Sequence, residues 1–146
     1  MVKIETRDFG IVEIDEKELI YFSQSVYGFE HLSNYVLLAD EAMGESIRWL
    51  QSAEDKDVCF IVINPAELFA DYAPVIPQEI RLELHAKPGD HLDCWAIAVI
   101  CPDFKKSTVN LKSPIIINRE KMNGVQLILE QNYSIRTPLF DQKKGV

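Results

Sequence analysis

The chain has 146 residues and 47% hydrophobic content, which is one domain's worth of sequence with material for a single unstapled core. Its 23 acidic and 15 basic residues leave a net charge of −8, which argues against a protein whose main work is gripping phosphate backbones with clustered Lys and Arg. The longest fully apolar run, Cys94 to Cys101, falls far short of the roughly 18 residues of a membrane span, and the start shows no apolar stretch of the signal-peptide kind.

The periodicity is mostly that of strands. Val2, Ile4 and Thr6 alternate with charged residues, and after a turn at Asp8-Phe9-Gly10 so do Val12 and Ile14. This predicts a hairpin with one wet face. Glu18 to Phe22, Tyr35 to Leu38 and Ile47 to Gln51 read as further short strands. Val58 to Ile63 is a continuous β-branched and aromatic run, which suits a strand buried on both faces. Asn64-Pro65 ends it, with a short helical turn over Ala66 to Phe69. Pro77 to Leu84 predicts a helix: Pro suits the first turn, and Ile80 and Leu84 share a face. Lys87 to Asp90 stops it. Leu92 to Ile100 is a second buried run. Ser107 to Leu111, Ile115 to Asn118 and Val125 to Leu129 complete the set, with Asn123-Gly124 as a turn signal. About ten short strands with one or two short helices predict an all-β, mainly antiparallel, single-domain barrel or roll, which protects its strand edges by closure. The expected domain spans residues 1–140, and 141–146 form a polar tail expected to fray.

Charge is unevenly spread. Residues 1–93 carry a net −12 and residues 94–146 a net +4. Acids cluster around Glu13 to Glu18, Asp40 to Glu45 and Glu54 to Asp57. Such clusters serve solubility or steer a basic partner, and both readings stand.

Catalytic chemistry is hard to find. His31, His85 and His91 have no second histidine at metal-ligand spacing, and no Cys-x-x-Cys occurs, so neither a metal nor a cofactor site is expected. With six glycines there is no phosphate-cradling loop. Ser52 and Ser107 lack a local nucleophile motif. The three cysteines read as reduced thiols of a cytoplasmic protein; Cys94 and Cys101, seven apart in one expected strand, point to opposite faces. Gln51, Asn64 and Asn110 are polar residues in or beside strong strands, expected to satisfy backbone groups. Tyr27, Phe29, Phe69 and Tyr72 lie near turn residues, where aromatics either anchor a partner or plug a barrel end.

Read in order, several segments resemble the flagellar assembly factor FliW family. They are Phe9-Gly10 with Val12 to Asp15, Ile20 to Phe22 followed by Tyr27 to Glu30, Tyr35 to Leu38, and Trp49 to Ser52. Then come Phe60 to Pro65, Asp71-Tyr72, Ser107 to Leu111 with Pro114 to Asn118, Gln126 to Leu129, and Tyr133 with Arg136 to Leu139. Together they cover about residues 1–140. The chain departs from the family in having Tyr27 where a proline usually precedes Gly28-Phe29, and in a shorter region from Pro77 to Leu92.

The resemblance implies a β-barrel-like fold, no catalysis and a cytoplasmic partner switch. Such a protein binds the RNA-binding regulator CsrA and keeps it from repressing flagellin mRNA. It also binds newly made flagellin, with no direct contact to nucleic acid or membrane. Tyr27, Phe29, Glu30, Asp40, Glu41, Asp71 and Tyr72 are the candidate partner contacts, being aromatics and acids on expected loops. Two rivals stay open: a small-molecule-binding or hydrolytic barrel, and a nucleic-acid-binding barrel using the basic C-terminal third.

Overall fold

The computed structural model describes residues 1–24 and 26–140; the expected tail at 141–146 lies outside the described residues. The strands are β1 (Val2–Glu5), β2 (Ile11–Ile14), β3 (Ile20–Phe22), β4 (Asn34–Leu38), β5 (Ile47–Ser52) and β6 (Cys59–Ile63). After two short helices, α1 (Pro65–Leu68) and α2 (Gln78–Glu83), come β7 (Leu92–Val99), β8 (Thr108–Val109), β9 (Ile115–Asn118), β10 (Asn123–Gln126) and β11 (Thr137–Pro138). Hydrogen bonds run in the order β7-β6-β5-β4-β3-β10-β9, and β9 pairs back onto β7. That closes a seven-stranded barrel. Its strands pair antiparallel except β3 with β10, which run parallel, so the barrel is mixed. The expectation of a mainly antiparallel β-barrel with short helices is met.

A barrel of this size is filled by its own side chains. Phe22, Tyr35, Leu50, Val62, Trp95, Ile115 and Ile117 form the inner core. The rings of Phe22 and Tyr35 meet edge to face at 5.0 Å. This interior is the space that the ligand-binding alternative required, and it is occupied by protein.

The outer face is covered too, which explains the double-sided apolar runs of β6, β7 and β9. The β1–β2 hairpin lays Ile4 and Ile14 against Val36. Its turn is tied by Thr6, whose hydroxyl donates to the Gly10 carbonyl at 2.6 Å and accepts from the Phe9 amide at 2.8 Å. Gly10 sits there at φ 66°, where a Cβ is disfavoured. Helix α2 presses Ile80 and Leu84 onto Ile116, Val125 and Leu127, so the shared face read from the sequence is the buried one. The segment after β10 brings Tyr133 and Leu139 against Ala96, Ala98 and Val109 of β7 and β8.

The polar residues within strong strands do satisfy backbone groups. Gln51 is fully buried. Its Oε1 accepts from the Arg7 amide at 3.0 Å, and its Nε2 donates to the carbonyls of Ser52, Lys56 and Val58. Asn64 caps α1 by accepting from the Ala66 amide. Asn110 accepts from the Lys112 and Ser113 amides, and that turn cuts the expected strand at Ser107 to Leu111 down to Thr108–Val109.

Other local expectations need correction, among them the strand expected over Val125 to Leu129, which runs instead over Asn123–Gln126. Glu18 lies in a 3-10 turn (Glu16–Glu18) before β3. Cys101 lies beyond β7, which ends at Val99, and its amide donates to Ser107 Oγ; the cysteines are free, as expected. Asn123-Gly124 is no turn: it opens β10, and the reversal falls just before it, with Met122 at φ 52°. Gly124 is required by space instead. A Cβ there would lie 2.8 Å from Cζ of fully buried Phe22 and 3.2 Å from the Ile116 carbonyl oxygen.

Gly124→Ala is therefore expected to lower stability by about 1–3 kcal/mol, the usual cost of overpacking. Chemical denaturation of the two chains measures it; an unchanged midpoint would show that the Phe22 ring yields freely.

Candidate partner-binding surface

The seven residues singled out from the sequence lie on three separate surface features. Tyr27 and Glu30 border a shallow depression of about 350 Å³ with Ser23, Gln24 and Gln126. Gln126 fixes this turn by accepting from the Tyr27 amide at 2.9 Å. Tyr27 is 55% exposed. Phe29 turns inward, meeting Phe60 edge to face at 5.2 Å on the flank of the inner core. Asp40 and Glu41 stand at the start of a 3-10 turn (Glu41–Met43) between β4 and β5. Asp71 is exposed after α1, whereas Tyr72 is half-buried. The Tyr72 hydroxyl donates to the Leu111 carbonyl at 2.8 Å, and its ring packs on Tyr133 at 4.7 Å. Phe29 and Tyr72 thus brace the fold, while Tyr27, Glu30, Glu41 and Asp71 offer side chains to solvent.

The acids divide in the same way. Asp15, Asp40 and Asp103 each accept from the backbone amide two residues on and cap a 3-10 turn. Glu54 accepts from the Ser33 and Asn34 amides at 2.8 and 2.7 Å and pins the entry to β4. These acids are used by the fold. Glu41 and Glu45 are exposed with no such duty, and Glu67 on α1 accepts from the Ser46 hydroxyl at the surface.

Beside that second group lies an apolar groove of about 340 Å³. Its floor is the outer face of β5 and β6: Ile47, Trp49, Ile61 and Ile63. Register puts Ile47 opposite Ile63 and Trp49 opposite Ile61, so all four point the same way. Met43 and Leu68 form one wall; Ile100, Phe104, Leu139 and Phe140 form the other. Phe9, from the tip of the β1–β2 hairpin, meets Trp49 edge to face at 5.1 Å. The sequence reading missed this site. The available signal was a lone large hydrophobe inside each charged turn: Met43 between Glu41 and Glu45, and Phe104 between Asp103 and Lys105.

The remaining chemistry is quiet. Burial pushes the Cys94 thiol up to about 12 and the Cys59 thiol up to about 11, so neither supplies a thiolate near neutral pH. Burial likewise raises the Tyr72 phenol. His91 Nε2 and Arg119 Nη1 lie 3.1 and 3.3 Å from the Asp93 carboxylate. Among the described residues, no group of three or more His, Cys, Asp or Glu is placed to hold a metal ion, and no helix is long and apolar enough to cross a membrane.

Comparison with known proteins places this architecture. Residues 3–139 match the family described as FliW protein. The flagellar assembly factor FliW of Caldanaerobacter subterraneus subsp. tengcongensis is 37% identical over 145 residues, covering 99% of this chain and 97% of that protein. The protein of the same name from Thermoanaerobacter pseudethanolicus is 35% identical over 145 residues, with coverages of 99% and 97%. A crystal structure of the flagellar assembly factor FliW superposes with a TM-score of 0.90 at 31% identity, covering 97% of this chain and 99% of that one.

The capping role of Glu54 has a pH signature. The amide of Ser33, then that of Asn34, hold its carboxyl below the ordinary 4.5. A depressed folded-state value contributes stability above the unfolded value, and loses it as pH falls through the folded one. Glu54→Gln is expected to melt earlier than the parent chain at neutral pH, and the gap to narrow as pH drops below 4.5. Thermal melts of both chains across that range decide it; a constant gap would remove the electrostatic part of the argument.

Proposed function

This chain belongs to the FliW family of flagellar assembly factors, and from that premise we propose that it works as a cytoplasmic, non-enzymatic partner switch. One partner is a small basic RNA-binding regulator of the CsrA type, and the other is flagellin. Bound to the regulator, the chain keeps it off flagellin mRNA. Accumulating flagellin takes its place, the regulator is released, and flagellin synthesis falls. The observation that carries this reading is the match of residues 3–139 to the family.

The physics asks for two partners that exclude one another. Each stabilises its own complex by mass action, so their concentration ratio sets the output. An acidic protein of net charge −8 favours encounter with a basic partner, and its exposed acids chiefly raise the on-rate and set register. A few apolar or aromatic anchors supply most of the affinity. Tyr27, Glu30, Glu41 and Asp71 are the proposed contacts among the sequence-selected residues, with the capping Asp40 and the half-buried Phe29 and Tyr72 as the supports behind them.

Calorimetric titration with the CsrA-type regulator and with flagellin, at two salt concentrations, tests the reading. Saturable binding of both, mutual competition, and a regulator affinity that falls with salt are expected. No complex with either partner at either salt overturns it. Tyr27→Ala is expected to weaken at least one partner by about tenfold, roughly 1.4 kcal/mol. Phe29→Ala and Tyr72→Ala should also cost about 3–5 kcal/mol of stability through lost packing. If all three leave both affinities unchanged with the fold intact, these contacts are wrong.

A further inference from the structure

We propose that the apolar groove over β5 and β6 docks an amphipathic helix of a partner protein, with Lys or Arg residues on the flank that meets the wall formed by Met43 and Leu68. The inference deepens the partner-switch reading and rests on it.

The first argument is coverage. The barrel's outer face is roofed by the β1–β2 hairpin, by α2 and by the segment carrying Tyr133 and Leu139. The strip at Ile47, Trp49 and Ile61 is covered only in part: Phe9 meets Trp49, and Ile47 and Ile61 pack beside Leu139, yet all three stay half-buried beneath an open groove. Its walls are large hydrophobes held out on turns and on α1: Met43 and Leu68 are 50% exposed, Phe104 56% and Phe140 40%. Contiguous apolar surface of this kind marks an interaction site.

The second argument is backbone chemistry. β5 pairs with both β4 and β6, and β6 with both β5 and β7. The floor therefore has no free strand edge, and an occupant cannot add itself as a strand. It must engage through side chains, as a helix does with an apolar row at i, i+3, i+4 and i+7.

The third argument is charge, and it selects the occupant. Glu41, Glu45 and Glu67 flank Met43 and Leu68, while Lys105 and Lys106 follow Phe104 on the opposite wall. Basic residues on one side of the helix meet the acids, and the asymmetry fixes which way the helix lies. A second copy of this chain carries the same net charge of −8, which disfavours its encounter at long range.

The probe is a fluorescent model helix of about 18 residues, roughly five turns, built from Leu, Ala and Lys with its leucines along one edge. A sister peptide carries Glu for Lys. Both are titrated into the full chain, with backbone amide shifts mapped by nuclear magnetic resonance. The Lys peptide is expected to saturate and shift Trp49, Ile61 and Leu68, and the Glu peptide to bind about tenfold more weakly or less. The double variant Met43→Glu, Phe104→Glu changes two exposed side chains and gives up the Phe104–Phe140 ring contact at 5.0 Å, so its melting temperature should fall only slightly while its affinity falls about tenfold or more. Equal binding of both peptides, shifts elsewhere, or an unaffected variant overturns the inference. So does a wild-type dimer in sedimentation that Phe104→Glu breaks, since a second copy would then be the occupant. The same variant is titrated with the CsrA-type regulator and with flagellin. Retained binding of both sinks the groove and spares the switch; loss of one supports the groove. If the wild-type chain binds neither, the switch reading fails, and the peptide result still decides the groove.

Discussion

The barrel closes because β7 is long enough to serve two neighbours along one edge. Its Leu92 to Trp95 pair with β9 and its Ala98 and Val99 pair with β8, while Ile97 and its neighbours meet β6 on the other edge. Remove that shared edge and the sheet opens, leaving unpaired amides and carbonyls that invite association. Closure also sets the interior. Trp95 and Ile97 point in with Leu50, Val62 and Ile115, while Ala96 and Ala98 point out. Small outward residues on β7 let the segment around Tyr133 and Leu139 lie close to the strand.

An outer layer follows from this. A barrel this small hides only one face of each strand, yet β6, β7 and β9 are apolar on both. The hairpin, α2 and the segment after β10 cover most of the second face. Where the cover stops, over Trp49 and Ile61, apolar surface remains with walls of its own. Site and scaffold thus share their strands: β5 and β6 fill the barrel with one face and make the floor of the groove with the other.

Much of the fold was legible in the sequence because its signals were local. The alternation from Val2 to Ile14 gives the hairpin, and Asn64-Pro65 gives the stop after β6 with its cap. Gln51, polar beside Trp49 and Leu50, is legible as a backbone partner, and four hydrogen bonds bear this out. What could not be read was non-local. Asn123-Gly124 has turn chemistry, but the demand on Gly124 comes from the Phe22 ring about a hundred residues earlier, across the parallel β3–β10 pair. β11 has two residues and no pattern to declare itself. The site was half legible. Acids on loops were visible as acids, but not which were spent as caps, since Asp40 and Glu41 are neighbours with different duties. The groove draws on four chain segments, and no single window of sequence holds it.

That division of the acids bears on how such a surface discriminates. A carboxylate already accepting two amides, as Glu54 does, has little to offer a partner, because its hydrogen-bonding capacity and its orientation are committed. Glu41 and Glu45 keep theirs, exposed on either side of Met43 in the groove's wall. A charge at the rim of an apolar site steers and orients without paying for full burial, and the apolar floor then sets how long the complex lasts. Two partners that both need the floor cannot share it, whatever their charges. Exclusivity of that kind would come from occupancy of one surface and would need no change of shape in a closed, packed barrel.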